Sequence, residues 1–181
     1  MLPRMLGERS EYPELWAFLE SLRLGEDIAG TVAAIERFGV FVALDDGPAH
    51  PVFPGVGFIT LPELSWCGFD DSTEVVRVGQ RVSCEFLQFD TWNLEARLSL
   101  RAKQPDPFQA FADGAAAGRA LTGQVTARIV RIGAFVEVAH GVEGLVPARA
   151  LEHHLVQVGD ELDVVIADID RLRRRLLLAL P

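Results

Sequence analysis

Few residues of this chain are of the types that carry catalysis, and their spacing does not bring them together. His153 and His154 are adjacent, so their side chains point to opposite faces of a strand and diverge on a helix. Cys67 and Cys84 form no CxxC motif and have no nearby pair of histidines, which favours reduced thiols over a disulfide or a metal site. The sequence contains no P-loop, GxSxG or HExxH motif. We therefore predict that the chain is not an enzyme and uses neither a metal nor a cofactor.

Arginines of the C-terminal third suggest a second kind of chemistry, the binding of anions. They lie in two groups, the first with Arg128 and Arg131 and the second with Arg171, Arg173, Arg174 and Arg175. Such a run can hold phosphates, or it can be a solvated hairpin turn. The net charge of −9 argues against wholesale electrostatic capture of nucleic acid. Residues 1–118 hold nine basic and eighteen acidic residues, whereas residues 119–181 hold eight of each. A face that attracts nucleic acid by charge is therefore expected in the C-terminal part.

The elements that must position these side chains are repeated within the chain. Three motifs recur in the same order: FGVFV (38–42) as IGAFV (132–136), GFI (57–59) as GLV (144–146), and VG (78–79) before Asp90 as VG (158–159) before Asp170. In both copies the aspartate follows the glycine of the VG pair by eleven residues. Two copies with matched order and spacing indicate two similar domains.

Each copy predicts five short strands with glycines at the bends, which is typical of the small Greek-key barrel of the OB fold. In the second copy the strands are predicted at 124–129, 134–138, 143–146, 161–168 and 175–180. A two-layer sandwich is the alternative, but about sixty residues hold too few strands for one. The segment from Gly123 to Gly133 is one residue longer than that from Gly30 to Gly39, which predicts a β-bulge in the first strand of the second barrel.

The remaining segments predict two helices and two loop insertions. Residues 13–22 begin with a proline and carry an apolar stripe, which favours a helix packed on the first barrel over a partner-binding helix. The first copy has insertions at 45–54 and at 66–75, and residues 109–117 predict a helical or flexible linker. The predicted organisation is an N-terminal helical extension at 1–24, a first barrel at 25–104, a linker at 105–118 and a second barrel at 119–181.

These motifs resemble the S1 RNA-binding domain family, whose members read G-x-V, FGxFV, GLVHxSELS, VGxxVxVxVxxxD and a final LSL strand. The first copy shows GTV, FGVFV, GFITLPELSW, Asp90 and LSL. The second shows GQV, IGAFV, GLVP, Asp170 and RLLL. The resemblance covers roughly residues 25–103 and 119–181, and it implies an all-β protein of two tandem S1-type OB barrels that bind RNA.

The resemblance also implies a set of RNA-binding residues, because the RNA face of the family carries two aromatics, a histidine, a late aspartate and a late arginine. Together with the neighbouring arginines, the set in this chain is Phe38, Phe41, Asp90, Arg128, Arg131, Phe135, Asp170, Arg171, Arg173, Arg174 and Arg175.

Neither copy is complete. Thr60 and Pro147 stand where the family has histidine, Ile132 replaces the first aromatic of the second copy, and Glu95 places a negative charge where the late arginine is expected. Because Phe41 and Phe135 alternate with valines, each could stack on a base or pack under a neighbouring loop. We therefore expect the RNA affinity of each barrel to be weaker than that of a complete site.

From these observations we predict a cytoplasmic bacterial protein of translation or RNA metabolism that binds single-stranded RNA weakly and with little sequence preference. Bases would stack on the phenylalanines, and arginines would hold the phosphates. No apolar run approaches the roughly 20 residues that span a bilayer, so no membrane partner is expected. The alternative is a protein–protein interaction module on the acidic first barrel, in which the insertions around Phe53 and Trp66 contact the ribosome or another protein.

Overall fold

The structure is a computed structural model that describes residues 9–181; residues 1–8 of the predicted extension at 1–24 lie outside the described residues. The chain separates into two compact units, with the division between Pro105 and Asp106. In each unit a helix precedes a closed five-stranded barrel.

The first unit begins with helix α1 (Pro13–Ser21). Its strands are β1 (Asp27–Glu36), β2 (Gly39–Leu44), β3 (Gly57–Thr60), β4 (Arg81–Asp90) and β5 (Glu95–Ser99). Short 3-10 helices lie at Leu61–Glu63, Ser72–Glu74 and Arg101–Lys103. The strand order is β1-β2-β3-β5-β4, and β4 pairs again with β1 to close the barrel. The pair β3–β5 is parallel, whereas the other pairs are antiparallel.

The second unit repeats this arrangement. Helix α2 (Pro107–Gly114) precedes strands β6 (Ala120–Ile129), β7 (Gly133–Ala139), β8 (Val142–Pro147), β9 (Glu161–Asp170) and β10 (Arg175–Ala179), and a 3-10 helix lies at Ala148–Leu151. The order β10-β8-β7-β6-β9 closes a barrel with the connectivity of the first, including the one parallel pair, β8–β10. The predicted all-β fold of two tandem five-stranded OB barrels is therefore confirmed.

Alternation along the strands fills each barrel. Val40 and Val42 of β2 are buried in the first core, as Ala134 and Val136 of β7 are in the second. The first strand of each barrel carries a glycine because the next strand passes close to it. A Cβ atom on Gly30 would lie 2.5 Å from the Ala43 carbonyl oxygen, and one on Gly123 would lie 2.5 Å from that of Glu137. The glycines of the GTV and GQV motifs are thus required by close packing.

The predicted bulge in the first strand of the second barrel is confirmed, but it does not explain the length difference, because the first barrel has one as well. The pairing of β1 with β2 skips one residue between Val32 and Ala34, and that of β6 with β7 skips one between Val125 and Ala127. Both barrels therefore have a bulge at the same place, which bends the long first strand around the barrel. The additional residue of the second copy lies in the turn at 130–132, where the first copy has a two-residue turn.

Each helix contributes two side chains to the core of the barrel that follows it. Leu15 and Leu19 of α1 are buried in the first core, which confirms the predicted packing of this helix. Phe108 and Ala112 of α2 are buried in the second core, at the same distances of twelve and eight residues before the first strand. Residues 107–114, predicted as part of a linker, therefore belong to the second core, because the bulky apolar side chain of Phe108 is removed from water there.

The connection from helix to barrel is repeated as well. Gly25 and Gly118 have φ angles of 82° and 85°, in the left-handed region that favours glycine. Their N–H groups donate to the carbonyl oxygens of Phe86 and Ile166, each at 2.8 Å. The repeat thus comprises the helix, its connection and the barrel.

Candidate nucleic-acid interface

A cluster of aromatic rings lies on the outside of the first barrel, over strands β2, β3 and β5. Phe41 and Phe58 are cross-strand partners and alternate with core residues, so they point away from the barrel interior. Their ring centroids are 4.9 Å apart, and the ring of Phe38 lies 5.9 Å from that of Phe58. Arg97 of β5 is paired with Phe58 on the other side. We call the surface formed by Phe38, Phe41, Phe58, Glu95 and Arg97 the first outer face.

The insertion at 45–54 covers much of the first outer face. Phe53 stacks on Phe41 with a centroid distance of 5.1 Å and an interplanar angle of 20°. Phe41 and Phe58 are consequently only 4% and 5% exposed, whereas Phe38 is 55% exposed. Of the two roles considered for Phe41, this structure shows packing under a neighbouring loop. The sequence pattern placed Phe41 on the outer surface of the strand but did not reveal which ring would cover it.

His50 holds the insertion in place. Its Nδ1 accepts hydrogen bonds from the backbone N–H groups of Val52 and Phe53, at 3.1 and 2.9 Å. Because Nδ1 is an acceptor, the ring proton lies on Nε2, which donates to the carbonyl oxygen of Asn93 at 2.9 Å. Burial lowers the pKa of His50, and the hydrogen bond to Asn93 offsets part of that effect. The neutral ring therefore connects the insertion to the turn between β4 and β5.

The charged groups of the first outer face compensate one another. The Arg97 guanidinium lies 4.8 Å from the ring centroid of Phe58 and 2.5 Å from the Asp90 carboxylate. Asp90 also accepts hydrogen bonds from the N–H groups of Trp92 and Asn93, so it orders the turn before β5. Burial raises the pKa of Asp90, but Arg97 and these two N–H groups outweigh burial and hold it below its ordinary value.

Glu95 does not present its charge as the sequence suggested. Its carboxyl group is 3% exposed, and burial raises its pKa, although Arg97 lies 3.3 Å away. Its Oε2 has no hydrogen-bond partner among the residues that the structure describes. The basic group that reaches this face is Arg97, which sequence reasoning missed. The period of two along a strand could have found it, because Glu95 and Arg97 share one face of β5.

The corresponding surface of the second barrel has a single aromatic ring among aliphatic side chains, and it is open. The residues that occupy the positions of the first outer face are Ile132, Phe135, Leu145, Arg175 and Leu177, and we call them the second outer face. Phe135 pairs with Leu145 and Leu145 with Leu177, as Phe41 pairs with Phe58 and Phe58 with Arg97.

The loop between the second and third strands explains why only one face is covered. Strands β7 and β8 are joined by His140-Gly141 alone, whereas twelve residues separate β2 from β3. Ile132 is accordingly 47% exposed, Leu177 is 38% exposed and Phe135 is partly exposed. The second outer face therefore offers an apolar surface to a ligand.

Comparison with known proteins decides the family. A model of the S1 RNA binding domain matches residues 21–101 and again residues 115–180. The chain belongs to the S1 RNA-binding domain family. Its two barrels are two S1 domains, as the resemblance of the motifs implied.

Similar proteins of bacteria carry the name small ribosomal subunit protein bS1. That of Mycolicibacterium smegmatis is 42% identical over 90% of this chain and 34% of its own length. That of Mycobacterium tuberculosis (strain H37Rv) is 41% identical over the same shares. That of Neisseria meningitidis serogroup B is 32% identical over 99% of this chain and 31% of its own length. The chain thus spans about a third of the length of these relatives.

The predicted arginines of the second S1 domain do not converge on one face. Arg171 binds Asp113 and the carbonyl oxygen of Ala112, both on α2. Arg174 binds Asp106 at the start of the same helix, and its guanidinium lies 5.2 Å from the ring centroid of Phe108. These two side chains hold α2 against the barrel, which neither charge nor spacing indicated.

The other arginines of this S1 domain differ in their contacts. Arg173 pairs with Asp170, whose pKa is lowered chiefly by the Arg173 N–H, so Asp170 orders its turn as Asp90 does. Arg128 donates to the carbonyl oxygen of Val156 at 2.7 Å. Arg131 and Arg175 are exposed, and the part of the chain from residue 9 onward provides no ion-pair partner for either.

Two further findings concern membrane-spanning helices and metal sites. No helix among residues 9–181 is long and apolar enough to cross a membrane. Within the same range, no three His, Cys, Asp or Glu side chains gather in a group that could hold a metal ion.

Proposed function

We propose that this chain binds single-stranded RNA and that the second outer face is its principal binding surface. One observation carries the proposal: this face is open, and it combines a partly exposed ring, Phe135, with Arg175, a cation for which residues 9–181 provide no ion-pair partner. Membership of a family defined by RNA binding supports the ligand. The ribosomal name of the relatives supports translation as the setting and the cytoplasm as the compartment.

The proposed mechanism combines stacking with phosphate contacts. A base stacks on Phe135, where Leu145 and Leu177 complete the apolar floor, and each stacked base contributes about 1–3 kcal/mol whatever its identity. Arg175 and Arg131 bind phosphates, because no carboxylate of the described residues engages their guanidinium groups. Phe38, at the edge of the first outer face, offers a further stacking ring only when that face is uncovered. Few cations take part, so we expect weak binding with little sequence preference.

The other predicted residues have more specific roles in this proposal. Asp90 and Asp170 position the turns before β5 and β10 and do not contact phosphates. Arg171, Arg173 and Arg174 act chiefly through their carboxylate partners, and Arg128 orders the segment around Val156. Phe41 contacts a base only when Phe53 is displaced from its ring.

The test is fluorescence anisotropy with a labelled oligo-uridine of about ten nucleotides, a length within the range of one OB fold. Phe135→Ala is expected to weaken binding by about tenfold, and Arg175→Gln to reduce the salt dependence by about one unit of slope. The matched controls are Leu172→Ala, an exposed apolar residue in the turn before β10, and Arg77→Gln, an exposed arginine of the first S1 domain. Absence of binding at low salt, or equal losses in variants and controls, would contradict the proposal.

A protein-binding surface on the first S1 domain is the second candidate. It is supported by the acidic charge of residues 1–118 and by Val52, which is 61% exposed on the insertion. Phe53 and Trp66, the residues first expected to make this contact, are engaged within the domain: Phe53 stacks on Phe41, and Arg101 lies 4.6 Å from the Trp66 ring centroid. Val52→Asp would abolish capture of a ribosomal partner if this surface is used, and it would leave oligo-uridine binding unchanged.

A further inference from the structure

The insertion at 45–54 places an aromatic ring where a base would stack. Phe53 lies over Phe41 in a nearly parallel arrangement, and the ring of His50 also stacks on Phe53, with a centroid distance of 4.8 Å and an angle of 26°. Aromatic rings favour such offset stacks over other parallel geometries, and nucleobases use the same geometry on protein rings. The three rings of Phe41, Phe53 and His50 thus form a continuous stack made within the first S1 domain.

Hydrogen bonds of the insertion hold this stack in place. Both ring nitrogens of His50 are used, one within the insertion and one at Asn93, so the insertion is fastened at a point outside itself. His50 is buried, although an imidazole at the tip of an ordinary surface loop would be solvated. Val52, the neighbour of Phe53, is exposed, so the insertion turns its aromatic side chain inward and its aliphatic side chain outward.

The charged groups beneath the stack indicate which kind of ligand could replace Phe53 on the first outer face. Arg97 is already compensated by Asp90 and Glu95, so the first outer face offers no free cation to a phosphate. What it offers, once Phe53 has left, is the rings of Phe41 and Phe58 beside the exposed ring of Phe38. Such a surface recognises an unpaired base through its ring and is indifferent to its phosphate.

We propose that residues 45–54 are an intramolecular occupant of the first S1 domain: Phe53 takes the position of a base on Phe41, and RNA reaches this domain only by displacing it. The inference rests on the proposed function of the second S1 domain as the open RNA site. According to this inference, the outer face of the second domain is open to RNA, whereas that of the first domain is covered by a segment of the same chain.

The decisive experiment uses the full chain and follows backbone amide signals by NMR during titration with the same oligo-uridine. In the wild type, signals of the second outer face shift and those of Val40 to Val42 and Phe58 stay in place. In Phe53→Ala, the signals of β2 and β3 shift as well, and the Kd that these signals report is about tenfold lower than that of the wild-type first domain, the effect of one additional stacked base. That gain is independent of salt concentration, because no further phosphate is neutralised.

Two further variants control the result. Val52→Ala changes the same insertion outside the stack and is expected to behave as the wild type. His50→Gln keeps Phe53 but removes its fastening, and it is expected to give a smaller gain in the same direction. Unchanged signals from the core residues Val32 of β1 and Cys84 of β4 show in each variant that the barrel is folded.

The outcomes separate this inference from the proposed function. If RNA shifts β2 and β3 of the wild type as strongly as the second outer face, Phe53 is no obstacle and the inference is wrong. If Phe53→Ala is folded, binds RNA through the second domain and shows no change in the first, the inference alone is wrong. If no variant binds RNA through either domain, the proposed function fails and this inference fails with it.

Discussion

The two S1 domains have the same strand order and matching residue pairs between strands, yet one outer face is covered and the other is open. Phe41 and Phe135 occupy the same position of the same strand, but the first is covered by Phe53 and the second is partly exposed. The fold therefore decides where a ligand surface lies, while one loop between two strands decides whether that surface is available. Counting intact motif residues does not separate the two domains, because each keeps three of the five family positions.

The largest expected difference concerns the contribution of each face to stability. Phe58→Ala removes a ring that contacts Phe38, Phe41 and Arg97 in a covered cluster, so we expect the free energy of unfolding of the first domain to fall by about 3–5 kcal/mol. Leu145→Ala, at the same position of the open face, should cost about 1 kcal/mol, because this side chain is only partly buried. Denaturant unfolding followed by signals specific to each domain measures both. Equal losses would show that the two faces are packed alike.

A smaller difference concerns the helices in front of the barrels. The Asp106 side chain accepts hydrogen bonds from the N–H groups of Phe108 and Gln109 and also binds Arg174, whereas the residue before α1, Tyr12, makes no such cap. Asp106→Ala should therefore lower the free energy of unfolding of the second domain by about 1–2 kcal/mol. Asp113→Ala, which removes only the exposed pair with Arg171, is the control and should cost less than about 0.5 kcal/mol. Similar effects of both changes would argue against a capping role for Asp106.

The smallest expected effect is a pH dependence confined to the first domain. The folded protein favours neutral His50, so this contribution to stability is complete above its ordinary pKa of 6.5 and is lost as pH falls through the lowered folded value. Protonated Nδ1 cannot accept hydrogen bonds, and the amide signals of Val52 and Phe53 should therefore lose protection on acidification. The amides of Trp92 and Asn93 are the control, because the pKa of their acceptor Asp90 is lowered. Loss of protection at all four amides together would indicate general unfolding.

The architecture could be read from the sequence because two independent signals agreed. Alternation of apolar residues indicated the positions of the strands, and the repetition of FGVFV as IGAFV indicated two barrels. The bulge of the second barrel was predicted from a length difference that arises elsewhere, in the turn at 130–132, because such a difference does not show where the residue is added. The role of residues 107–114 was hidden because a short apolar segment gives little periodicity, and its burial depends on how the helix packs on the barrel that follows it.

The site was less accessible to sequence reasoning, since it depends on contacts between distant segments. His50 and Asn93 are forty-three residues apart, and nothing in either motif indicates that they meet. Arg174 and Asp106 are sixty-eight residues apart, so an arginine that appeared free was already paired. Charge and residue type identify candidates for phosphate binding, but the partner of each arginine is set by tertiary structure.

The placement of α2 has a practical consequence for dissecting the protein. Because Phe108 and Ala112 fill the core of the barrel behind them, the cooperative folding unit starts at the helix and not at the first strand. A second domain that begins at residue 119 would keep every strand but would expose the part of its core that α2 covers. One that begins at Asp106 would keep the helix and a complete core. The first domain has the same boundary: Leu15, like Phe108, lies twelve residues before the first strand of its barrel and is buried in the core of that barrel.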